Sequence, residues 1–294
     1  MNERKKYYSL GIDETWGVPM YILRNGKKGE IIEVNEHDWS TFKQKLNRKT
    51  GIDLDLYKEA QMKRRINNLV MRKGYKSFTE YLDFVAKDKD EFASFIEYLT
   101  INVSEFFRTP EKFSELETVI IPELLQRSPR LNIWSAGCSI GAEPYSIAMI
   151  LDEKTPGVKH RILASDLDVD ILNKAKTGIY SDNELKAISL GRKQKYFTKT
   201  ADGKFAVSPT IKSKIEFRRH NLLKDSFENN FDLILCRNVV IYFTEEAKDK
   251  LYKEFFKALK PGGILFVGGT EAVLNYRDMG YENHRPFFYR RPLK

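Results

Sequence analysis

The sequence predicts an α/β fold in which an all-helical domain precedes a doubly wound parallel sheet. Three observations carry this expectation. From residue 38 to about 109, apolar residues recur at helical spacing in four successive stretches. From residue 131 onward, short apolar runs alternate with helical patterns, as strands and crossover helices do. The first of these runs opens into Ser135-Ala136-Gly137-Cys138-Ser139-Ile140-Gly141-Ala142-Glu143, a small-residue loop leading directly into a helix.

The first 36 residues read as a separate element. Tyr21-Ile22-Leu23 and Ile31-Ile32-Glu33-Val34 flank Gly26-Lys27-Lys28-Gly29, which predicts a hairpin with no function attached. The helical domain follows over residues 37–109. Its stripes are Trp39, Phe42 and Leu46; Met62, Ile66, Leu69 and Val70; Phe78, Tyr81, Leu82 and Val85; and Phe92, Phe95, Ile96 and Leu99. Gly51 and Gly74 punctuate them, Ser77 caps the third, and the aromatic residues read as ordinary core. A helix over about 111–126, within a linker at 110–130, leads to the domain at 131–294. There the strands are expected at 131–134, 161–165, 215–217, 231–236 and 263–268, and the helices at 143–152, 168–176 and 245–259. Lys260-Pro261-Gly262-Gly263 is expected to stop the last helix, and a late hairpin to pair 270–276 with 286–291. Between residues 180 and 209 the alternation breaks, predicting an inserted antiparallel β flap whose segment extends to about residue 214.

A chain of 294 residues can bury a substantial core in one or two domains. No apolar run approaches the length of a membrane span, and no apolar signal segment follows the first eight residues. Cys138 and Cys236 lie far apart, each beside a predicted strand end, which fits a reducing cytoplasm. Neither has a Cys or His partner at metal-site spacing, so no metal is expected. The formal charge of +9 invites a nucleic-acid reading, but basic residues are mixed with acids and no nucleic-acid-binding signature occurs. Lys58, Lys63, Arg64, Arg65, Arg72 and Lys73 decorate one predicted helix, which either meets an acidic protein or is simply a solvated face.

The chemistry concentrates at the strand ends. Gly137-x-x-x-Gly141 has neither the lysine of a phosphate-binding loop nor the spacing of a dinucleotide fingerprint. Asp166 closes the second predicted strand, where a carboxylate suits a ribose diol. Together these features predict a cofactor that carries adenosine but no pyrophosphate. Cys236-Arg237-Asn238-Val239-Val240-Ile241-Tyr242-Phe243 opens from a strand end at the same edge, and Asn238 either holds a polar ligand or ties down the turn. His220-Asn221-Leu222-Leu223 follows the preceding strand and can flank an adenine, with His220 as readily structural as catalytic. Asn102-Val103-Ser104-Glu105-Phe106-Phe107-Arg108 closes the helical domain. Arg108 there either grips a carboxylate or is an exposed junction residue.

In this order, the segments closely resemble the chemotaxis receptor glutamate methyltransferases, the CheR family, over residues 37–294. The resemblance rests on Asn102-x-Ser104-x-Phe106-Phe107-Arg108, Gly137-Cys138-Ser139-x-Gly141-x-Glu143-Pro144-Tyr145-Ser146, Ala164-Ser165-Asp166, His220-Asn221-Leu222-Leu223, Cys236-Arg237-Asn238-x-x-Ile241-Tyr242-Phe243 and Phe287-Phe288-Tyr289-Arg290-Arg291. It implies a class I S-adenosylmethionine-dependent methyltransferase domain, Rossmann-like, with a helical receptor-recognition domain. The implied activity is that of a protein-glutamate O-methyltransferase. Methyl passes from S-adenosylmethionine to the γ-carboxylate of glutamates on the cytoplasmic helices of chemoreceptors. The products are methyl esters and S-adenosylhomocysteine. A cytoplasmic enzyme recruited to receptor arrays is implied, and some family members dock on a receptor tail through the flap. Carried over by residue, Glu143 contacts the amino-acid end of the cofactor, Asp166 the ribose, Asn221 and Leu222 the adenine, and Asn238 the methionyl portion. Gly137, Asn102 and Ser104 help form the same pocket. Arg108 and Tyr242 sit by the transferred methyl group, Arg237 lies close to the substrate entrance, and Lys63, Arg64, Arg65 and Arg72 meet the receptor helices. This sequence departs from the family at Ile140, where Ser or Thr is common, and at Ala142, where a second acid is common. Cofactor affinity is where those departures are expected to tell.

Overall fold

The computed structural model describes residues 8–12, 19–22, 36–100 and 104–294, the first two segments as backbone only. The chain divides into two compact units, Met1–His37 and Asp38–Lys294. In the first, β1 (Tyr8–Ile12) pairs antiparallel with β2 (Pro19–Ile22). A hairpin is therefore present, but it uses strands earlier than expected, and 31–34 lies outside the described residues.

The second unit begins with four helices, α1 (Glu36–Thr50, entering from the end of the first unit), α2 (Glu59–Arg72), α3 (Phe78–Val85) and α4 (Lys89–Thr100). Their stripes pack as the periodicity requires. Trp39, Phe42, Leu46, Met62, Ile66, Tyr81, Leu82, Phe95 and Leu99 are buried together, with Trp39 stacked on Phe42 at 5.4 Å. The Ser77 hydroxyl caps α3 by accepting from the Glu80 amide at 3.1 Å. A long helix follows in three parts: α5 (Pro110–Glu115), a π-helical turn (Leu116–Ile120) and α6 (Ile121–Arg127). Pro122 cannot donate to an α-helical ladder, and the widened turn lies immediately before it.

The sheet and its crossovers run β3 (Asn132–Ala136), α7 (Ala142–Lys154), β4 (Arg161–Asp166) and α8 (Val169–Thr177). Next comes the flap, β5 (Ile179–Tyr180), α9 (Leu190–Tyr196), β6 (Phe197–Lys199), β7 (Phe205–Val207) and α10 (Pro209–Lys212). The chain then returns through β8 (Ile215–Arg219), β9 (Phe231–Cys236), α11 (Glu245–Ala258), β10 (Leu259–Val267), β11 (Glu282–Arg285) and β12 (Phe288–Arg290). The seven-stranded order is β11-β12-β10-β9-β3-β4-β8, with β10, β9, β3, β4 and β8 parallel and β12 antiparallel to both its neighbours. The three flap strands form a separate antiparallel sheet, β5-β7-β6. Alternate residues of the central strands enter opposite cores. Ile133, Leu233, Leu235 and Phe266 pack with α7 and the flap, whereas Trp134, Ile234, Leu265 and Val267 pack with α11.

One expectation fails locally and one boundary moves. The late hairpin is made by 282–285 and 288–290, not by 270–276, because the latter segment is a loop tethered by Glu271. The last helix does stop before Lys260-Pro261-Gly262-Gly263, but the strand after it begins earlier than expected. α11 ends at Ala258, and these residues form the irregular start of β10, where the register to β9 shifts between Leu259 and Ile264.

Candidate functional site

Chain order places β4 and β8 on one side of β3 and β9 on the other, so the connections diverge between β3 and β9. A cleft opens at the carboxyl ends of these strands, where parallel sheets bind ligands. The loops after β3, β4, β8 and β9 supply one side of it, including Gly137, Glu143, Asp166, Asn221, Leu222, Arg237, Asn238 and Tyr242. The helical region supplies the facing wall through Ile52, Tyr57, Met62, Leu99 and Thr100, and Ser104 and Arg108 complete it. The two sides are joined by backbone: the Lys58 amide donates to the Tyr242 carbonyl at 2.8 Å and the Thr244 amide to Leu56 at 2.9 Å. Asn102 lies outside the described residues.

The small-residue loop is tied to the neighbouring strand. The amides of Gly137 and Cys138 both donate to the Ser165 carbonyl, at 2.8 and 2.9 Å. The Ser139 amide donates to the Asp166 carboxylate at 2.8 Å, and the Asp168 amide to its other oxygen at 3.1 Å. The loop thus aims Asp166. Burial pushes the Asp166 carboxyl above its ordinary pKa, and the two amides pull against that rise. Gly137 has φ 81° and lies so close to Val239 that a Cβ would collide with the valine Cγ2, which leaves glycine alone able to close this corner. Ile140 and Ala142, the two departures from the family pattern, face the core at 5% and 0% exposure and do not line the cleft. The Ile140 carbonyl accepts from the Tyr180 hydroxyl at 2.6 Å.

Glu143 and Arg237 form a nearly buried ion pair at 3.3 Å on the floor of the cleft. The Ser135 hydroxyl donates to the other Glu143 oxygen at 2.7 Å. Arg237 also donates to the Arg108 carbonyl at 2.8 Å and to the Thr109 hydroxyl at 3.3 Å, while its guanidinium lies over Phe266 at 4.5 Å. Its expected position at a substrate entrance is therefore corrected. The side chain is 3% exposed, and its two terminal nitrogens are held by Glu143, the Arg108 carbonyl and Thr109, while its buried Nε has no hydrogen-bond partner.

Arg108 sits at a kink. Phe107 and Thr109, on either side of it, both have left-handed backbone at φ 51° and 62°. Such conformations cost about 1–3 kcal/mol each and persist only where the surroundings over-determine them. The Phe107 amide is tied to the Ser146 hydroxyl at 3.0 Å, and the Arg108 carbonyl is held by Arg237.

Sequence reasoning missed Glu271. Its carboxylate, 4% exposed, accepts from the amides of Asn238, Val240 (2.9 Å) and Gly268 (3.0 Å), and so fixes the loop that carries Asn238 and Tyr242. Burial pushes its carboxyl up, and the backbone donors pull it back. Asn238 itself has φ 59°, a conformation asparagine tolerates better than most residues. The signal available in sequence was an acid four residues past the end of the last parallel strand, which by itself is too common to single out.

The remaining expected residues divide. Leu222 and Asn221 both line the cleft, and the Asn221 side chain also accepts from the Leu223 amide at 3.0 Å and donates to the Gly51 carbonyl at 3.3 Å. Asn221 thus holds the helical wall to the sheet while still lining the cleft. His220 packs edge-on against Trp134 at 5.5 Å, burial lowers its pKa, and its Nε2 is buried without a hydrogen-bond partner. On α2, Arg64 and Arg72 are exposed. Arg65 leaves that open face: it donates twice to the Tyr98 carbonyl, at 2.6 and 3.1 Å, and stacks on the Tyr98 ring at 4.2 Å. Lys63 is half-buried over Trp39 at 5.8 Å.

The donor set fits S-adenosylmethionine. Asp166 is an aimed carboxylate for a diol, Leu222 and Val239 are apolar cleft residues, and Glu143 with Arg237 offers opposite charges to a zwitterionic amino-acid end. Among the described residues no helix is long and apolar enough to cross a membrane. The same residues contain no group of three His, Cys, Asp or Glu arranged to hold a metal ion.

Residues 37–100 match the family description "CheR methyltransferase, all-alpha domain", and residues 102–285 match "CheR methyltransferase, SAM binding domain". A chemotaxis protein methyltransferase of Listeria monocytogenes is 43% identical over 256 residues, covering 86% of this chain and 97% of its own. One from Borreliella burgdorferi is 34% identical over 244 residues, covering 79% and 86%. Chemotaxis protein methyltransferase 1 of Pseudomonas aeruginosa is 37% identical over 255 residues, covering 82% and 92%. With an all-helical domain, a Rossmann-like S-adenosylmethionine-binding sheet and an inserted antiparallel flap, the chain belongs to the CheR methyltransferase family.

Proposed function

We propose that this protein methylates the γ-carboxylates of glutamates on the cytoplasmic helices of chemoreceptors, giving glutamate methyl esters. The observation that carries this reading is the convergence of Asp166, the Glu143–Arg237 pair, Arg108 and Tyr242 on one cleft beside a helical domain whose α2 exposes Arg64 and Arg72. The names of the relatives, chemotaxis protein methyltransferases, support the same substrate class.

S-adenosylmethionine supplies an electrophilic sulfonium methyl group when bound, leaving S-adenosylhomocysteine. Asp166 accepts hydrogen bonds from the ribose, and Leu222 borders the adenine. Glu143 and Arg237 hold the amino-acid end, with Gly137, Ser104 and Asn238 shaping the same pocket. A substrate glutamate has an ordinary pKa of about 4.3, so it arrives ionised and needs no general base. The remaining task is placement of an oxygen in line with the methyl group and shedding of water around it. Arg108 orients the carboxylate, Tyr242 offers a phenolic hydrogen bond, and the apolar wall of Ile52, Met62 and Phe243 excludes solvent. Arg64 and Arg72, with Lys63 at the edge of the same helix, attract acidic receptor helices. The enzyme works in the cytoplasm at receptor arrays.

Transfer of radiolabelled methyl from S-adenosylmethionine to purified chemoreceptor cytoplasmic fragments tests the proposal. Base-labile label that disappears when receptor glutamates are replaced by alanine is the expected result. Cofactor binding without transfer to any of several receptors would assign the cleft to another substrate.

A further inference from the structure

The three residues that precede Arg108 are each gripped by the inserted flap segment. Glu105 pairs with Lys186 at 3.1 Å on the surface. Phe106, fully buried, meets Tyr180 of β5 edge-on at 4.9 Å and Phe197 of β6 at 5.7 Å. Phe107 lies under the guanidinium of Arg192 in α9, 4.7 Å from its ring centroid. A doubly wound sheet does not need this insertion to fold, yet its residues hold the turn that leads into Arg108.

Arg192 is the best defined of these contacts. Its Nε and Nη2 donate to Glu153 on α7 at 3.2 and 2.7 Å, and Nη2 also reaches Glu117 in the π-helical turn at 2.8 Å. Two carboxylates from different helices thus fix the plane of the guanidinium, and the face left over lies on Phe107. A flat, delocalised cation pinned along its edge is suited to stacking in a way that lysine is not. The ring it covers belongs to one of the two residues with left-handed backbone that flank Arg108. We infer that Arg192 is a positioning residue for methyl transfer: by clamping the Phe107 ring it holds the strained backbone that aims Arg108 into the cleft, so that the flap supports the catalytic arm.

This inference rests on the proposed role of Arg108, and the experiment separates the two. Methyl transfer to a chemoreceptor cytoplasmic fragment and calorimetric binding of S-adenosylhomocysteine are measured for the full chain, R192M, R192K, R108A and R108A/R192M. R192M is expected to lower kcat about tenfold, with receptor KM and S-adenosylhomocysteine affinity changed less than threefold. R192K restores little, because it keeps the charge and loses the planar fork. In the R108A background the added R192M change is expected to cost less than twofold. An equal loss in both backgrounds would overturn the positioning role while leaving Arg108 intact. Unchanged turnover in R108A would instead remove the proposed role of Arg108.

A readout without receptor substrate accompanies these rates. Trypsin cleavage of the Arg108–Thr109 bond, mapped by mass spectrometry, is expected to be about tenfold faster in R192M than in the parent chain. E153Q, which loosens the guanidinium without deleting it, is expected to move cleavage in the same direction and serves if R192M does not fold. Parent-like cleavage at that bond in R192M, or in E153Q where R192M does not fold, overturns the inference.

Discussion

The floor of the cleft and the outer face of α2 both present arginine, and they treat it in opposite ways. Arg237 is buried, paired with Glu143, hydrogen-bonded to the Arg108 backbone and packed over Phe266. Arg64 and Arg72 stand exposed on α2. Arg65, on the same helix, already belongs with the first kind, because its guanidinium is turned back onto Tyr98. A buried guanidinium with fixed partners sets geometry, and its removal strands the groups it paired. An exposed one contributes almost nothing to folding and acts over distance on whatever approaches. Residue type and motif membership do not separate these cases; burial does.

The comparison breaks first at Arg237. Arg237→Ala leaves Glu143 without its cation and two backbone or hydroxyl acceptors without their donor. It is expected to cost about 3–5 kcal/mol in chemical denaturation. A loss below 1 kcal/mol would mean that the floor is held by other contacts. Arg108→Ala is expected to lower turnover about 10²-fold with S-adenosylhomocysteine affinity nearly unchanged, a separation read from paired kinetics and calorimetry. Equal turnover would remove Arg108 from the chemistry.

A subtler probe of the cleft is pH. Because burial raises the Asp166 pKa in the folded protein, its carboxylate takes up a proton at a higher pH than an exposed aspartate does. The proposed ribose contact uses the ionised form, so S-adenosylhomocysteine affinity is expected to fall as pH drops through that raised value and to be restored above it. The stability sign is the reverse: the folded state binds the proton more readily than the unfolded chain, so this group favours folding increasingly as pH falls through the same window. Asp166→Asn should weaken binding at neutral pH and flatten the acid limb of the titration. An unchanged limb would assign it to another group. The smallest effect on stability is expected at α2. Arg64→Glu with Arg72→Glu should shift unfolding by no more than about 0.5 kcal/mol per site. Receptor methylation, by contrast, should fall severalfold at low ionic strength and less at high salt. A stability loss as large as that of Arg237→Ala would erase the distinction between the two regions.

Much of the fold was legible in sequence, for reasons visible in particular elements. The stripe Trp39, Phe42 and Leu46 and the run at 231–236 both bury apolar side chains at the period their backbone imposes. The late hairpin was misread because β11, Glu-Asn-His-Arg, is an edge strand with no apolar signal, whereas the apolar residues at 273–276 sit in a loop. At the site, the sequence singled out residues that converge on the cleft but did not separate those facing a ligand from those bracing it. Asn221 and Arg237 are braces in part, and Glu271 drew no attention although three backbone amides depend on it.

The sequence by itself determined the alternation of strands and helices, the helical domain ahead of them and the order of motifs along strand ends, because periodicity and turn chemistry are local properties. Only the tertiary structure decided what each polar side chain does there. It bound the amides of Gly137 and Cys138 to the Ser165 carbonyl, paired Glu143 with Arg237 across 94 positions of chain, and set the flap against Phe106 and Phe107. Hydrogen bonds and ion pairs are satisfied by whichever partner folding brings within about 3 Å, and that partner is seldom a neighbour in sequence.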